Sequence, residues 1–118
     1  MKIVRVLSCL FVAAASAQDV QWKLVDTGTL NHSSRGNGIE MRIQPDPVLD
    51  VFFGNENLDD LVLAICNHYA PSVIPFVQQK FDIKEPDFIT VRIISGGSVG
   101  IYRLNFYEIK NRHCGTPL

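Results

Sequence analysis

The chain has 118 residues, with 11 Lys+Arg against 12 Asp+Glu, a formal charge of −1 and 47% hydrophobic residues. That length suits a single domain. The near-neutral balance excludes a global basic field of the kind that draws a protein onto nucleic acid, so any anion site has to be a local patch.

Met1 to Arg5 is a short basic start, and Val6 to Ala14 is an apolar run broken only by Ser8 and Cys9. Ala15, Ser16 and Ala17 form a small-x-small site before Gln18. This order predicts a secretory signal peptide over 1–17. The run is too short for a bilayer, which needs roughly 20 apolar residues, and no later segment is expected to cross one. The expected mature protein is one soluble, extracellular α+β domain over 18–118. Lys2 and Arg5 leave with the leader, so nine basic residues face 12 acidic ones, a charge of about −3.

Two cysteines, Cys66 and Cys114, remain after Cys9 is removed. In an oxidising compartment they default to one disulfide, the alternative being two separate buried thiols. The bridge would close a loop of about 49 residues and contribute a few kcal/mol. Asn31-His32-Ser33 is an N-glycosylation sequon, which places Asn31 on an exposed loop as a candidate modification site.

Val20 to Asp26 alternates as a strand, with Val20, Trp22 and Leu24 on one side. Thr27 to Asn37 reads as a polar loop, ending in the turn signal Asn37-Gly38. Ile39 to Gln44 alternates cleanly and stops at Pro45-Asp46-Pro47. Val48 to Phe53 is a short apolar stretch, an edge strand or a packed loop. Asn57 then suits a helix N-cap, with Asp59 and Asp60 at the positive end of the dipole. Leu58, Leu61, Val62, Ile65, Cys66 and Tyr69 share one helical face. Pro71 and Pro75 predict a kink or a split into two helices. Phe88 to Ile94 and Val99 to Ile109 read as strands joined by a turn at Ser95 to Ser98. Lys110 to Leu118 reads as a polar tail tied back by Cys114. The expected fold is a two-layer α+β domain, a mostly antiparallel four-stranded sheet in ββαββ order with one kinked or split helix on one face. Its expected core includes Trp22, Leu24, Met41, Ile65, Tyr69, Val91, Leu104 and Phe106.

Phosphate-binding glycine loops, HExxH, CxxC and GxSxG motifs are absent. His32, His68 and His113 lack ligand spacing, and the acids between Asp46 and Asp60 lack EF-hand spacing, so neither a metal nor another cofactor is expected. Period-2 arithmetic points instead to the sheet face away from the helix. It assigns Lys23, Glu40, Arg42, Arg92, Arg103 and Tyr107 to that face, an anion-binding or partner-binding patch in an acidic protein. Ordinary solvent-face composition would look similar, and a bulge in the fourth strand would reverse part of the assignment.

A leader, about a hundred mature residues, one cysteine pair and no enzyme motif: in these features the chain loosely resembles the small secreted effector proteins of filamentous fungi. The resemblance implies a non-enzymatic, monomeric binding protein. It would meet a protein, or RNA, of a host or neighbouring cell through the open sheet face. The chain also resembles microbial ribonucleases in size and in a Glu, arginines and a His on a sheet face. On that resemblance Glu40 would be the general base, Arg92 and Arg103 would neutralise phosphate, and His113 would be the general acid. Those enzymes place their helix before the sheet, whereas here two strands precede it. A third reading is an inhibitor of a secreted enzyme that inserts the Thr27 to Asn37 loop.

Overall fold

A computed structural model describes residues 21–46, 58–94 and 101–118. The expected leader, the stretch Val48 to Phe53, the expected cap at Asn57 and the expected turn at Ser95 to Ser98 lie outside the described residues. The elements run β1 (Gln21–His32), β2 (Gly36–Asp46), α1 (Leu58–Phe81), β3 (Phe88–Ile94), β4 (Ile101–Lys110) and β5 (His113–Pro117). The α+β class is as expected, but the sheet has five strands in the order β1-β2-β3-β4-β5. It is mixed: β2 and β3 pair parallel and the other neighbours antiparallel. The helix is the reason, since parallel neighbours need a long crossover and α1 lies between them in the chain.

The strand residues that meet α1 are those on one phase of each alternation. Ile39, Met41 and Ile43 of β2 pair with Ile89, Val91 and Ile93 of β3, and all six are fully buried. Against them α1 places Leu58, Val62, Ile65, Cys66, Ala70, Val73, Ile74 and Val77. Trp22 closes the β1 end of this layer at 2% exposure, and the Tyr69 hydroxyl donates to its carbonyl at 2.6 Å.

Neither proline splits the helix, which runs without interruption for 24 residues. Each proline removes an intrahelical bond, at a cost of up to about 3 kcal/mol. Burial of Val73, Ile74 and Val77 around them, roughly 1.5–3 kcal/mol each, offsets that. The helix is also long and apolar enough to cross a membrane by length and composition, contrary to expectation. Its apolar side packs on the sheet, as in the core helix of a small two-layer domain. It ends in a Schellman arrangement, with Asp82 left-handed at φ 56° and Ile83 N–H donating to the Gln78 carbonyl at 3.0 Å.

Two segments read as irregular are strands. Most of the Thr27 to Asn37 loop is β1 and β2; His32 pairs with Gly36, leaving a three-residue connection of Ser33, Ser34 and Arg35. Gly36 at φ 95° supplies the left-handed residue that such a hairpin requires. A Cβ there would also lie 2.1 Å from the Asp87 carboxylate, which receives the Asn37 N–H at 2.9 Å. The tail forms β5 through a two-residue turn in which Asn111 (φ 53°) and Arg112 (φ 62°) are both left-handed.

Cys66 and Cys114 are disulfide-bonded, with Cα atoms 6.1 Å apart. The bridge fastens β5, the shortest described strand, to the N-terminal half of α1, and Asn67 Oδ1 accepts the Cys114 N–H beside it at 2.8 Å. Replacing Cys66 by Ser should lower unfolding stability by about 4 kcal/mol, from the loop closed. Urea denaturation of the oxidised protein with and without the substitution measures this, and reductant should abolish the difference.

Candidate functional site on the sheet face opposite the helix

The second phase of the alternation builds the face away from α1. The register aligns Gly38 with Phe88, Glu40 with Thr90 and Phe106, and Arg42 with Arg92 and Leu104. On the other side of β2, Asp26 stands beside Arg42. A bulge between Leu24 and Asp26 makes this possible: Leu24 serves the core, Val25 is the extra residue, and Asp26 turns to the opposite face.

Arg42 and Arg92 are direct cross-strand neighbours, an unfavourable pairing by itself. Glu40 resolves it. Its Oε2 accepts from Arg92 Nε at 2.5 Å and from Arg42 Nε at 3.3 Å, and Arg42 Nη1 lies 3.7 Å from Asp26 Oδ2. The carboxylate side chain is only 7% exposed, whereas Arg92 is 21% and Arg42 49% exposed. The charges form a chain, Arg92–Glu40–Arg42–Asp26, that is formally neutral. Lys23 lies on the same face, paired with Asp46 at 2.9 Å.

Next to this chain the face carries a second apolar cluster. Phe88 is fully buried and lies across Gly38, where a Cβ would come within 2.2 Å of its ring. Phe106 packs against it with centroids 5.4 Å apart. The β1–β2 hairpin folds over both: His32 stands edge-on to Phe106 at 5.6 Å, and the Arg35 guanidinium lies 4.8 Å above the Phe106 ring. Thr90 is fully buried beneath them, its hydroxyl donating to the Ile39 carbonyl at 3.3 Å.

Of the residues expected on this face, Lys23, Glu40, Arg42 and Arg92 are there, and Arg103 and Tyr107 are not. Ile93 pairs with Arg103 and Ile89 with Tyr107, which puts both on the helix side. Tyr107 is 1% exposed and accepts from Asn105 Nδ2 at 3.1 Å. Arg103 bonds Asn105 Oδ1 at 3.1 Å and contacts Asp59 in the first turn of α1. Leu104 and Phe106, expected in the main core, point the other way, and Leu104 is 37% exposed. The cause is covalent and local. Ile109 pairs with Cys114, which must face α1 to reach Cys66, and alternation then carries Tyr107, Asn105 and Arg103 to that side.

His32, Arg35 and Asp26 join this face beyond the residues expected there: the first two belong to the β1–β2 hairpin rather than to a loop, and Asp26 reaches the face only through the bulge. Asn31 is exposed, on the last turn of strand before the hairpin connection rather than in a loop. His113 is exposed on β5, its Nδ1 2.8 Å from the Asn111 carbonyl. It pairs with Lys110, four residues or roughly 13 Å further along β4 than the level of Glu40, and two strands beyond β3. No cluster of His, Cys, Asp and Glu that could hold a metal occurs among the described residues. No family model, curated protein or solved structure matches the chain.

Two outcomes follow from this geometry. Arg92→Ala, contrary to what solvent exposure would allow, should cost about 3 kcal/mol, because it leaves the buried Glu40 carboxylate short of its nearer partner. Arg42→Ala should stay within about 1 kcal/mol, since half of that side chain is in water. Chemical denaturation of both variants checks the contrast.

The second concerns tyrosine. Burial raises the Tyr107 pKa above its ordinary 10.0, and burial raises that of Tyr69 too. A raised tyrosine holds its proton more tightly when folded. Its stabilisation is therefore complete below about pH 10 and is lost as pH rises towards the folded value. Absorbance titration should show both ionising late, with Tyr107→Phe removing one of the late steps.

Proposed function

We propose that the chain is a secreted binding protein that acts on a macromolecule, foremost a protein, of a host or neighbouring cell. Its working surface is the sheet face opposite α1, centred on Arg42, Arg92, Lys23 and Arg35. The observation that carries this is the Glu40 carboxylate, buried between two arginines on a face that the main core does not use. A hydrophobic replacement of such a cluster is often as stable or more so, so stability alone does not account for it. What the cluster supplies is orientation: one carboxylate holds both guanidiniums by Nε and presents Arg42 at the surface in a fixed pose.

The ribonuclease reading draws no support from the geometry. Catalysis needs a base and an acid on either side of one phosphate. Glu40 is occupied by two arginines, Arg103 lies on the other face, and His113 is far along the sheet. The inhibitor reading loses its inserting loop, because Thr27 to Asn37 is a paired hairpin.

Mature oxidised protein incubated with total RNA should leave it intact. Cleavage that disappears in Glu40→Ala would overturn the proposal in favour of a nuclease. Labelled mature protein should bind saturably to cells or tissue it encounters, and Arg42→Ala should weaken that binding about tenfold, or 1.4 kcal/mol, while the variant stays folded at the assay temperature. Binding that Arg42→Ala leaves untouched would remove this face as the working surface.

A further inference from the structure

The asparagines differ in whether the fold uses their carboxamides. Asn67 Oδ1 accepts the Cys114 N–H at 2.8 Å. Asn105 donates to the Tyr107 hydroxyl and accepts from Arg103 Nε, both at 3.1 Å. Asn31 is exposed, and its carboxamide takes no hydrogen bond among the described residues. Of the seven asparagines in the chain it is also the only one with Ser or Thr two places on, and the residue between is His32, not proline. An uncommitted amide and an acceptor sequence thus fall on one residue.

The fold leaves room around it. α1 lies beside the first part of β1, where Ser72, Val73, Phe76 and Lys80 approach Leu24 to Thr27, and the helix ends at Phe81. Thr27, Thr29 and Asn31 pair with Met41, Ile39 and Asn37, so the three share the helix-side phase. Thr27 is partly buried, whereas Thr29 and Asn31 are exposed. Asn31 stands four residues, roughly 13 Å, beyond Thr27, where the helix no longer covers the strand. His32 turns to the other phase and packs on Phe106, and Ser33 is exposed in the hairpin connection. It is the Ser34 hydroxyl, not that of Ser33, that meets His32 Nδ1, at 3.3 Å.

We propose that Asn31 carries an N-linked oligosaccharide, transferred from a lipid-linked oligosaccharyl diphosphate in the lumen of a eukaryotic secretory pathway. Asn31 Nδ2 bonds to C1 of the first sugar. The C1–O bond to the diphosphate breaks, its electron pair leaves with the lipid diphosphate, and Nδ2 gives one proton to a base of the transferase. The Ser33 hydroxyl is the second recognition element. The proposal rests on the secretory part of the reading above and not on the sheet face. The oligosaccharide leaves on the phase opposite Arg42 and Arg92, and Arg42 pairs with Asp26, five residues or roughly 17 Å back along β1. It therefore covers the hairpin end with a bulky polar group and keeps the arginine chain open.

The test translates the full chain in the presence of secretory microsomes. The imported product should gain the mass of one oligosaccharide, and an endoglycosidase specific for N-linked chains should remove it. Asn31→Gln and Ser33→Ala should each abolish the gain, and Ser33→Thr should keep it. Both side chains are exposed, so these variants should be imported and fold as the parent does. Protection from added protease reports import separately. A chain that is protected yet gains no mass would overturn the glycan and leave secretion standing. A chain that stays open to protease would overturn the secretory reading and this proposal with it. A gain that survives Asn31→Gln would put the sugar elsewhere and overturn it as well.

Discussion

The covalent tie between α1 and β5 is the constraint on which the far half of the sheet depends. Cys114 can reach Cys66 only from the side of β5 that faces the helix. Its neighbour Ile109 must face the same way, and from there the two-residue period of β4 runs backwards without freedom. Tyr107 enters the main core, Asn105 supports its hydroxyl, and Arg103 ends beside Asp59 at the start of the helix. Leu104 and Phe106 are thereby left to the opposite face.

That displaced pair changes what the opposite face is. A sheet with one helical layer would ordinarily present a solvated second side. Here Phe106 and Phe88 form an apolar island there, and the β1–β2 hairpin folds His32 and Arg35 over it. Gly36 and Gly38 permit the fold-over, one by its left-handed backbone and the other by leaving room for the Phe88 ring. The ionic chain neighbours this island in the register, Glu40 pairing with Thr90 and Thr90 with Phe106, and the Glu40 carboxylate is buried. The same burial that makes Glu40 costly to leave unpaired fixes the two arginines in place. Fold and candidate site therefore meet in one small cluster.

The sheet face and the flank of β1 beside α1 differ in physical character. On the sheet face Lys23, Arg42 and Arg92 are matched by acids, so recognition through them would rest on geometry and on exchange of existing partners. Beside β1 the reverse holds: Val25 and Phe76 lie exposed next to a strand that ends the sheet among the described residues. Such edges are normally blunted by bulges and charges, and this one carries both, at Val25 and Asp26. The remaining apolar exposure at Phe76 is not needed for the core.

By itself the sequence determined the elements whose apolar residues keep one period on one face. β2 and β3 alternate without a break, so their core phase and the placement of Glu40, Arg42 and Arg92 were legible, and the helical spacing from Leu58 to Tyr69 was as clear. With the expected leader removed, two cysteines leave one pairing, and Cys66 and Cys114 are the pair the structure bonds. The tertiary structure alone decided the phase of β4, the parallel pairing, the fifth strand and the folded-over hairpin. β4 carries apolar residues on both phases, so its pattern fits either face, and only the disulfide across the layers selects one. A bulge at Val25 shifts the chain by a single residue, and a one-residue shift reverses every side chain beyond it. Such shifts are chosen by what packs across the sheet, which no local stretch of the chain contains.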